Sequence, residues 1–211
     1  MTLEEKKKRA RLVEKTLKER YPAAECALKY EGDPWRLLVM GRLSAQCTDA
    51  RVNVVCEELF EKYPTANDMA AADVCDVEKI VYPCGVYKVK AANIVAFSKI
   101  IVEKFGGKVP DNMDDLLTLP GVGRKIAKLI LGDIYGVPAI VADTHCIRIS
   151  NRLGLADSKV PEKVESALRE VVTPEESADF CHRLVMFGRE VCSARSPGCF
   201  ECPFEKLNCK K

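Results

Sequence analysis

Apolar positions recur along this chain at steps of three and four, the spacing of one helix face, and almost nowhere in strict alternation. Leu3, Ala10, Val13, Leu17 and Tyr21 fall on one face of a first helix. Thr2 with Glu5 opens it in the form of a capping box, and Pro22 ends it. Asp33-Pro34 supplies the N-cap and first-turn proline of a second helix, Trp35 to about Leu43. Thr48 caps a third that runs to Tyr63 and stops at Pro64. Asp73 starts another, ended by the turn Pro83-Cys84-Gly85. Val89 to Phe105 reads as helix closed by Gly106-Gly107. A short helix around Asp114 to Leu117 leads into Leu119-Pro120-Gly121-Val122-Gly123, and a further one runs from about Arg124 to Tyr135. Asp143-Thr144 opens the next, Pro161 sits in another first turn, and Glu175 to Val191 forms the last. Strand-like residues are confined to Val137 to Val141, read here as an extended connection. The predicted class is all-α, without internal repeats or long linkers.

Composition adds a soluble chain of 211 residues with a net charge of +2. No apolar run approaches the roughly 20 residues that span a bilayer, so no membrane partner is expected. The stretch Met1 to Arg9 lacks the apolar core of a signal peptide. A cytoplasmic location is expected, or a nuclear one in a nucleated cell. The near-neutral total hides a local excess: from Pro120 to Leu155, Arg124, Lys125, Lys128, Arg148 and Arg152 face only Asp133 and Asp143. Such a face can bind phosphates, although charge alone fits an ordinary solvated surface equally well.

Eleven cysteines in a reducing compartment must be mostly core thiols or metal ligands. Cys26, Cys47, Cys56, Cys75, Cys84, Cys146 and Cys181 lack ligand spacing. The run Cys192-x6-Cys199-x2-Cys202-x6-Cys209 places four within 18 residues, enough for one metal centre, zinc or [4Fe–4S]. A zinc site usually shows two close pairs, and here only Cys199 and Cys202 are close.

The segment Leu119 to Lys125 reads as a helix end, a tight glycine turn and a second helix start. Gly121 and Gly123 allow unusual backbone angles and leave no side chain in the way. Amides of the turn and the positive end of the following helix suit a backbone phosphate. On the residues alone, Lys125 reads more readily as a phosphate contact and Asp143 as the N-cap of the helix after it.

Four segments together, Leu43 to Asp49, Leu119 to Ala127, Val141 to His145 and the C-terminal cysteines, resemble the endonuclease III family of DNA glycosylases. They span nearly the whole chain. The resemblance implies a two-domain helix-hairpin-helix glycosylase fold: a six-helix domain, residues 27–137, and an iron–sulfur cluster domain built from residues 1–26 and 138–211. It implies a [4Fe–4S] cluster on Cys192, Cys199, Cys202 and Cys209, with six residues before Cys209 where the family has five. It places the catalytic lysine at Lys125 and the catalytic aspartate at Asp143. A target nucleotide must be extruded to be cut, leaving a gap to fill. The family's polar plug falls on Gln46 and its apolar wedge on Val86, where a leucine is usual.

Gly121, Gly123, Arg124, Lys128, His145, Arg148 and Arg195 complete the expected DNA-binding set. Lys128 adds charge one turn beyond Arg124, and His182 reads as a packed histidine. The expected activity is base excision repair by a bifunctional glycosylase and abasic-site lyase, acting on oxidised pyrimidines. The expected partner is double-stranded DNA with damaged bases or abasic sites, bound by a monomer. Two rivals stand beside it: a monofunctional glycosylase for mismatched thymine or uracil, and a non-catalytic DNA-binding module.

Overall fold

The structure, a computed structural model, describes residues 1–207 and 209. Its helices are α1 (Leu3–Arg20), α2 (Pro34–Leu43), α3 (Asp49–Lys62), α4 (Ala66–Ala70), α5 (Val74–Val81) and α6 (Tyr87–Phe105). After these come α7 (Met113–Thr118), α8 (Arg124–Asp133), α9 (Thr144–Arg152), α10 (Pro161–Arg169) and α11 (Ser177–Glu190). Short 3-10 turns occupy Tyr82–Cys84, Pro174–Glu176, Cys199–Glu201 and Glu205–Leu207. Among the described residues there is no strand, and no helix is long and apolar enough to cross a membrane. The all-α expectation holds.

The caps are those the sequence carries. Thr2 and Glu5 form a reciprocal capping box, Asp33 accepts from the amides of Trp35 and Arg36, and Thr48 accepts from Arg51. Three details differ from expectation. Helix α4 is additional; five residues are too few for a periodic signal, though Thr65 and Asp68 form a capping box before it. Helix α6 begins at Tyr87 because Val86 itself takes the N-cap position, in a left-handed conformation. Leu3 is largely exposed rather than part of the buried face of α1, which is Ala10, Val13 and Leu17.

The chain divides into two compact units, Ala27–Tyr135 and the remainder, Met1–Cys26 with the chain from Gly136 on. In the first, α2 is apolar nearly all round: Trp35, Leu37, Leu38, Val39, Met40, Gly41 and Leu43 are buried, as befits a central helix. The Trp35 indole N–H donates to Ser98 Oγ at 2.9 Å inside this core, and its ring packs on Phe60 at 5.6 Å. Helix α6 packs on α4 and α5, while α8 packs on α2 and α7. The α2–α8 approach is close at Gly41, where an added Cβ would lie 3.3 Å from Ile126 Cγ2. Burying Ile126's side of α8 leaves Arg124 and Lys125 exposed.

In the second unit α11 packs on α1 and α9. Val13, Leu17, Ile149, Leu153, Phe180, Leu184 and Phe187 form its centre. Arg183, 2 % exposed, is satisfied by Glu176 at 2.7 Å and Asp179 at 2.8 Å. Paired in this way, a buried cation is tolerated. Phe204 meets Phe187 edge-on at 5.4 Å and ties the C-terminal loop to this core.

Candidate functional site

The hairpin of the first unit is closed by Val122 N donating to Leu119 O at 3.1 Å. Gly121 has φ +76°, and a Cβ there would lie 2.6 Å from Arg42 Nε and closer still to Asn93 Oδ1. Those two side chains are bonded to each other at 3.0 Å. The turn is thus seated on a polar pair, one member from α2 and one from α6. Gly123 differs from expectation. Its φ is −96° and a Cβ would meet nothing within 4 Å, so the folded chain does not require glycine there.

No side chain caps α8; its first bond runs from Ala127 N to Gly123 O at 3.0 Å. The amides of Arg124, Lys125 and Ile126 precede that bond and have no helical acceptor. Exposed amides at a helix N-terminus, flanked by exposed Arg124 and Lys125, fit an anionic oxygen. Lys128, expected to add charge one turn beyond Arg124, is only 5 % exposed.

Gln46 and Val86 lie in two loops of the same unit. Both are exposed, and both have left-handed backbones, φ 55° and 48°. A left-handed valine is a strained position held by its surroundings. Beside Val86, Tyr82 is 64 % exposed and its ring packs on Tyr87 at 4.9 Å. The loops meet at buried Lys90, whose ammonium donates to Leu43 O and to Cys84 O, each at 2.8 Å.

In the second unit Asp143 is half-buried and its Oδ1 accepts from Cys146 N at 2.7 Å, the N-cap bond of α9. The basic residues of α9 turn to the cysteine loop. One nitrogen of Arg148, Nη2, lies 3.1 Å from His145 Nδ1, 3.3 Å from Gly188 O and 3.0 Å from Cys192 O. Arg152 donates to Cys192 Sγ at 3.2 Å, Ser193 O at 2.7 Å and Ala194 O at 3.0 Å. His145 and Arg148, both expected at DNA, are half-buried and make these contacts within the protein. Arg195 is exposed.

Cys192, Cys199, Cys202 and Cys209 all line one cavity of about 300 Å³, closed by Ile149, Leu153, Phe187 and Val191. Burial pushes the Cys202 and Cys209 thiols up, and the other cysteines of the set add to it.

An α-helical scaffold presenting a glycine hairpin with bare helix amides defines a helix-hairpin-helix protein built to hold a nucleic-acid backbone. Residues 39–174 match the profile of the HhH-GPD superfamily base excision DNA repair proteins. The chain is 42 % identical to endonuclease III of Synechocystis sp. over 203 residues, covering 96 % of this chain and 92 % of that one. It is 44 % identical to endonuclease III of Bacillus subtilis over 190 residues, covering 89 % and 85 %. A solved structure of a trapped endonuclease III–DNA covalent intermediate superposes with a TM-score of 0.90 at 38 % identity, covering 100 % of this chain and 96 % of that one. The chain belongs to the endonuclease III family of the HhH-GPD superfamily, and is a DNA glycosylase of base excision repair.

Sequence reasoning passed over Arg42, Asn93 and Lys90. None belongs to a motif, and only the folded chain shows that they sit beneath the loops. The two hairpin glycines are expected to part company on substitution. Gly121→Ala lowers stability by about 1–3 kcal/mol, through a left-handed φ and a displaced Arg42–Asn93 pair. Gly123→Ala leaves the melting temperature near that of the wild type. Chemical denaturation of both variants checks this, and equal losses would contradict it.

Proposed function

We propose that the chain is a bifunctional DNA glycosylase and abasic-site lyase that removes oxidised pyrimidines from duplex DNA. The observation that carries this reading is the placement of Lys125: exposed, in the first turn of α8, beside uncapped amides suited to a phosphate. The chain's similarity to an endonuclease III trapped as a covalent DNA intermediate supports it. The neutral amine of Lys125 attacks C1′ of the damaged nucleotide. The bond from C1′ to the base breaks, and its electron pair leaves with the base, which takes up a proton. The nitrogen loses a proton, and its lone pair forms the C=N bond as the C1′–O4′ bond breaks. O4′ takes up a proton, and the opened sugar is held as a Schiff base. Loss of a proton from C2′ then expels the 3′ phosphate oxygen, nicking the strand, and water releases the lysine.

Asp143 spends one oxygen on the cap of α9. Its carboxylate charge stabilises the cationic sugar as the base departs and relays protons. Gln46 and Val86 fill the space left by the extruded nucleotide. Valine is shorter than leucine, and Tyr87 beside it shares the wedging.

The cysteine loop fits a [4Fe–4S] cluster. Two sulfurs on one tetrahedral zinc, at about 2.3 Å from the metal, stand about 3.8 Å apart. Among the described residues no three of these four sulfurs lie mutually within 4.8 Å, which favours a larger centre over one zinc ion. Cys202 and Cys209, whose thiols are pushed up by burial and by the other cysteines, also require a strongly positive group to become ligands. Arg152 steadies Cys192 Sγ from outside. Cys192, Cys199, Cys202 and Cys209 would hold the cluster, which would cross-link the loop that carries Arg195.

Two experiments test this reading. On a duplex carrying thymine glycol, the wild type releases the base and nicks the strand. Lys125→Gln loses nicking by at least about a thousandfold, and Asp143→Asn loses base release by about 10²–10⁴. Base release without nicking by the wild type would identify a monofunctional enzyme instead. As for the cofactor, the purified protein is expected to be brown, with about four iron and four sulfide per chain. Cys209→Ser is expected to lower both. One zinc per chain and no sulfide would overturn the assignment.

A further inference from the structure

Lys90 is a lysine inside the protein, 1 % exposed. An ammonium ion taken out of water survives only where polar groups replace its hydration. Here the replacements are two backbone carbonyls, Leu43 O and Cys84 O, each at 2.8 Å. Both carbonyls are helix ends. Leu43 is the last residue of α2, and Cys84 the last of the 3-10 turn Tyr82–Cys84. Such terminal carbonyls lack helical donors and carry the negative end of the peptide dipoles. One buried cation therefore closes two helix ends at once.

Each of these ends leads directly into an exposed loop. Three residues past Leu43 comes Gln46, and two residues past Cys84 comes Val86; both are exposed and left-handed. Other backbone bonds at these loops are local to each: Ser44 N to Met40 O and Cys47 N to Ser44 O in one, Gly85 N to Tyr82 O and Lys90 N to Val86 O in the other. Those bonds shape a loop but do not fix it against its neighbour. The Lys90 ammonium bonds to both, and the Cys47 and Cys84 side chains meet alongside it. One turn further along α6, Asn93 bonds Arg42 beneath Gly121 of the hairpin. A single face of α6, at positions i and i+3, thus supports three loops.

We propose that Lys90 is a positioning residue for base extrusion: its ammonium locks the Gln46 loop to the Val86 loop, so that plug and wedge enter the duplex as one rigid unit. The proposal rests on the reading of Gln46 and Val86 as plug and wedge. Lys90 touches neither substrate nor reacting atoms. Its effect is confined to the step in which a stacked, paired base is replaced by protein side chains. An abasic nucleotide has no base to unstack, so its cleavage depends far less on the two loops acting together.

The test is the ratio of two single-turnover rates, on a duplex with thymine glycol and on the same duplex with a preformed abasic site. Lys90→Met keeps the length and apolar stem of the side chain and removes the cation. It is expected to lower the thymine glycol rate at least tenfold while the abasic-site rate stays within threefold, at a temperature where circular dichroism shows it folded. Lys90→Gln, which keeps amide donors without charge, is the milder variant should Lys90→Met not fold. Its ratio is expected to fall about threefold. A general loss of stability would move both rates together, and an unchanged ratio in the folded variant overturns the proposal. A wild type inactive on both duplexes would remove the glycosylase/lyase reading, and the proposal with it. A wild type active on both, with variants of unaltered ratio, would sink the role of Lys90 alone.

Discussion

A helix leaves four amides without acceptors at its start and four carbonyls without donors at its end. The working parts of this protein depend on how those ends are treated. At α2 and at the Tyr82–Cys84 turn, the Lys90 ammonium satisfies one terminal carbonyl each. At α9 the Asp143 side chain accepts from an amide of the first turn. At α8 the first amides carry no side-chain cap and lie beside exposed Arg124 and Lys125. Closed ends hold loops in place, and the open end is free for a phosphate.

The same division runs through the basic residues. Charge along the sequence suggests one basic face from Arg124 to Arg152, but folding assigns its members different tasks. Arg148 and Arg152 bond carbonyls of the cysteine loop, with Arg152 also on Cys192 Sγ. Lys128 is buried. Arg124 and Lys125 remain exposed. At the hairpin two exposed cations suffice beside the helix amides, which supply part of the positive potential.

The helices are legible in the sequence because their punctuation is local: Thr2 with Glu5, Asp33 before Pro34, Thr48, Asp143, and Gly106 after α6 all act within a few residues. The hairpin glycines and the four late cysteines are legible as spacing. The difference between Gly121 and Gly123 is not. It depends on Arg42 and Asn93, which lie 79 and 28 residues earlier in the chain and reach the turn only when α2 and α6 are packed. Lys90 is hidden for the same reason. A lysine in a helix usually marks the solvated face, and its burial becomes visible only when two distant carbonyls converge on it. Val86 shows the reverse problem: as an apolar residue beside a helix it resembles core, yet it is 60 % exposed on a left-handed backbone.

In the proposed mechanism one particular amine, that of Lys125, forms the bond to DNA. Borohydride reduction of the wild type on a thymine glycol duplex, followed by proteolysis and mass spectrometry of the cross-linked peptide, tests it most directly. A sugar-derived mass is expected on Lys125 and on no other lysine. A folded, DNA-binding protein that yields no adduct, or an adduct mapping to a different amine, would contradict it.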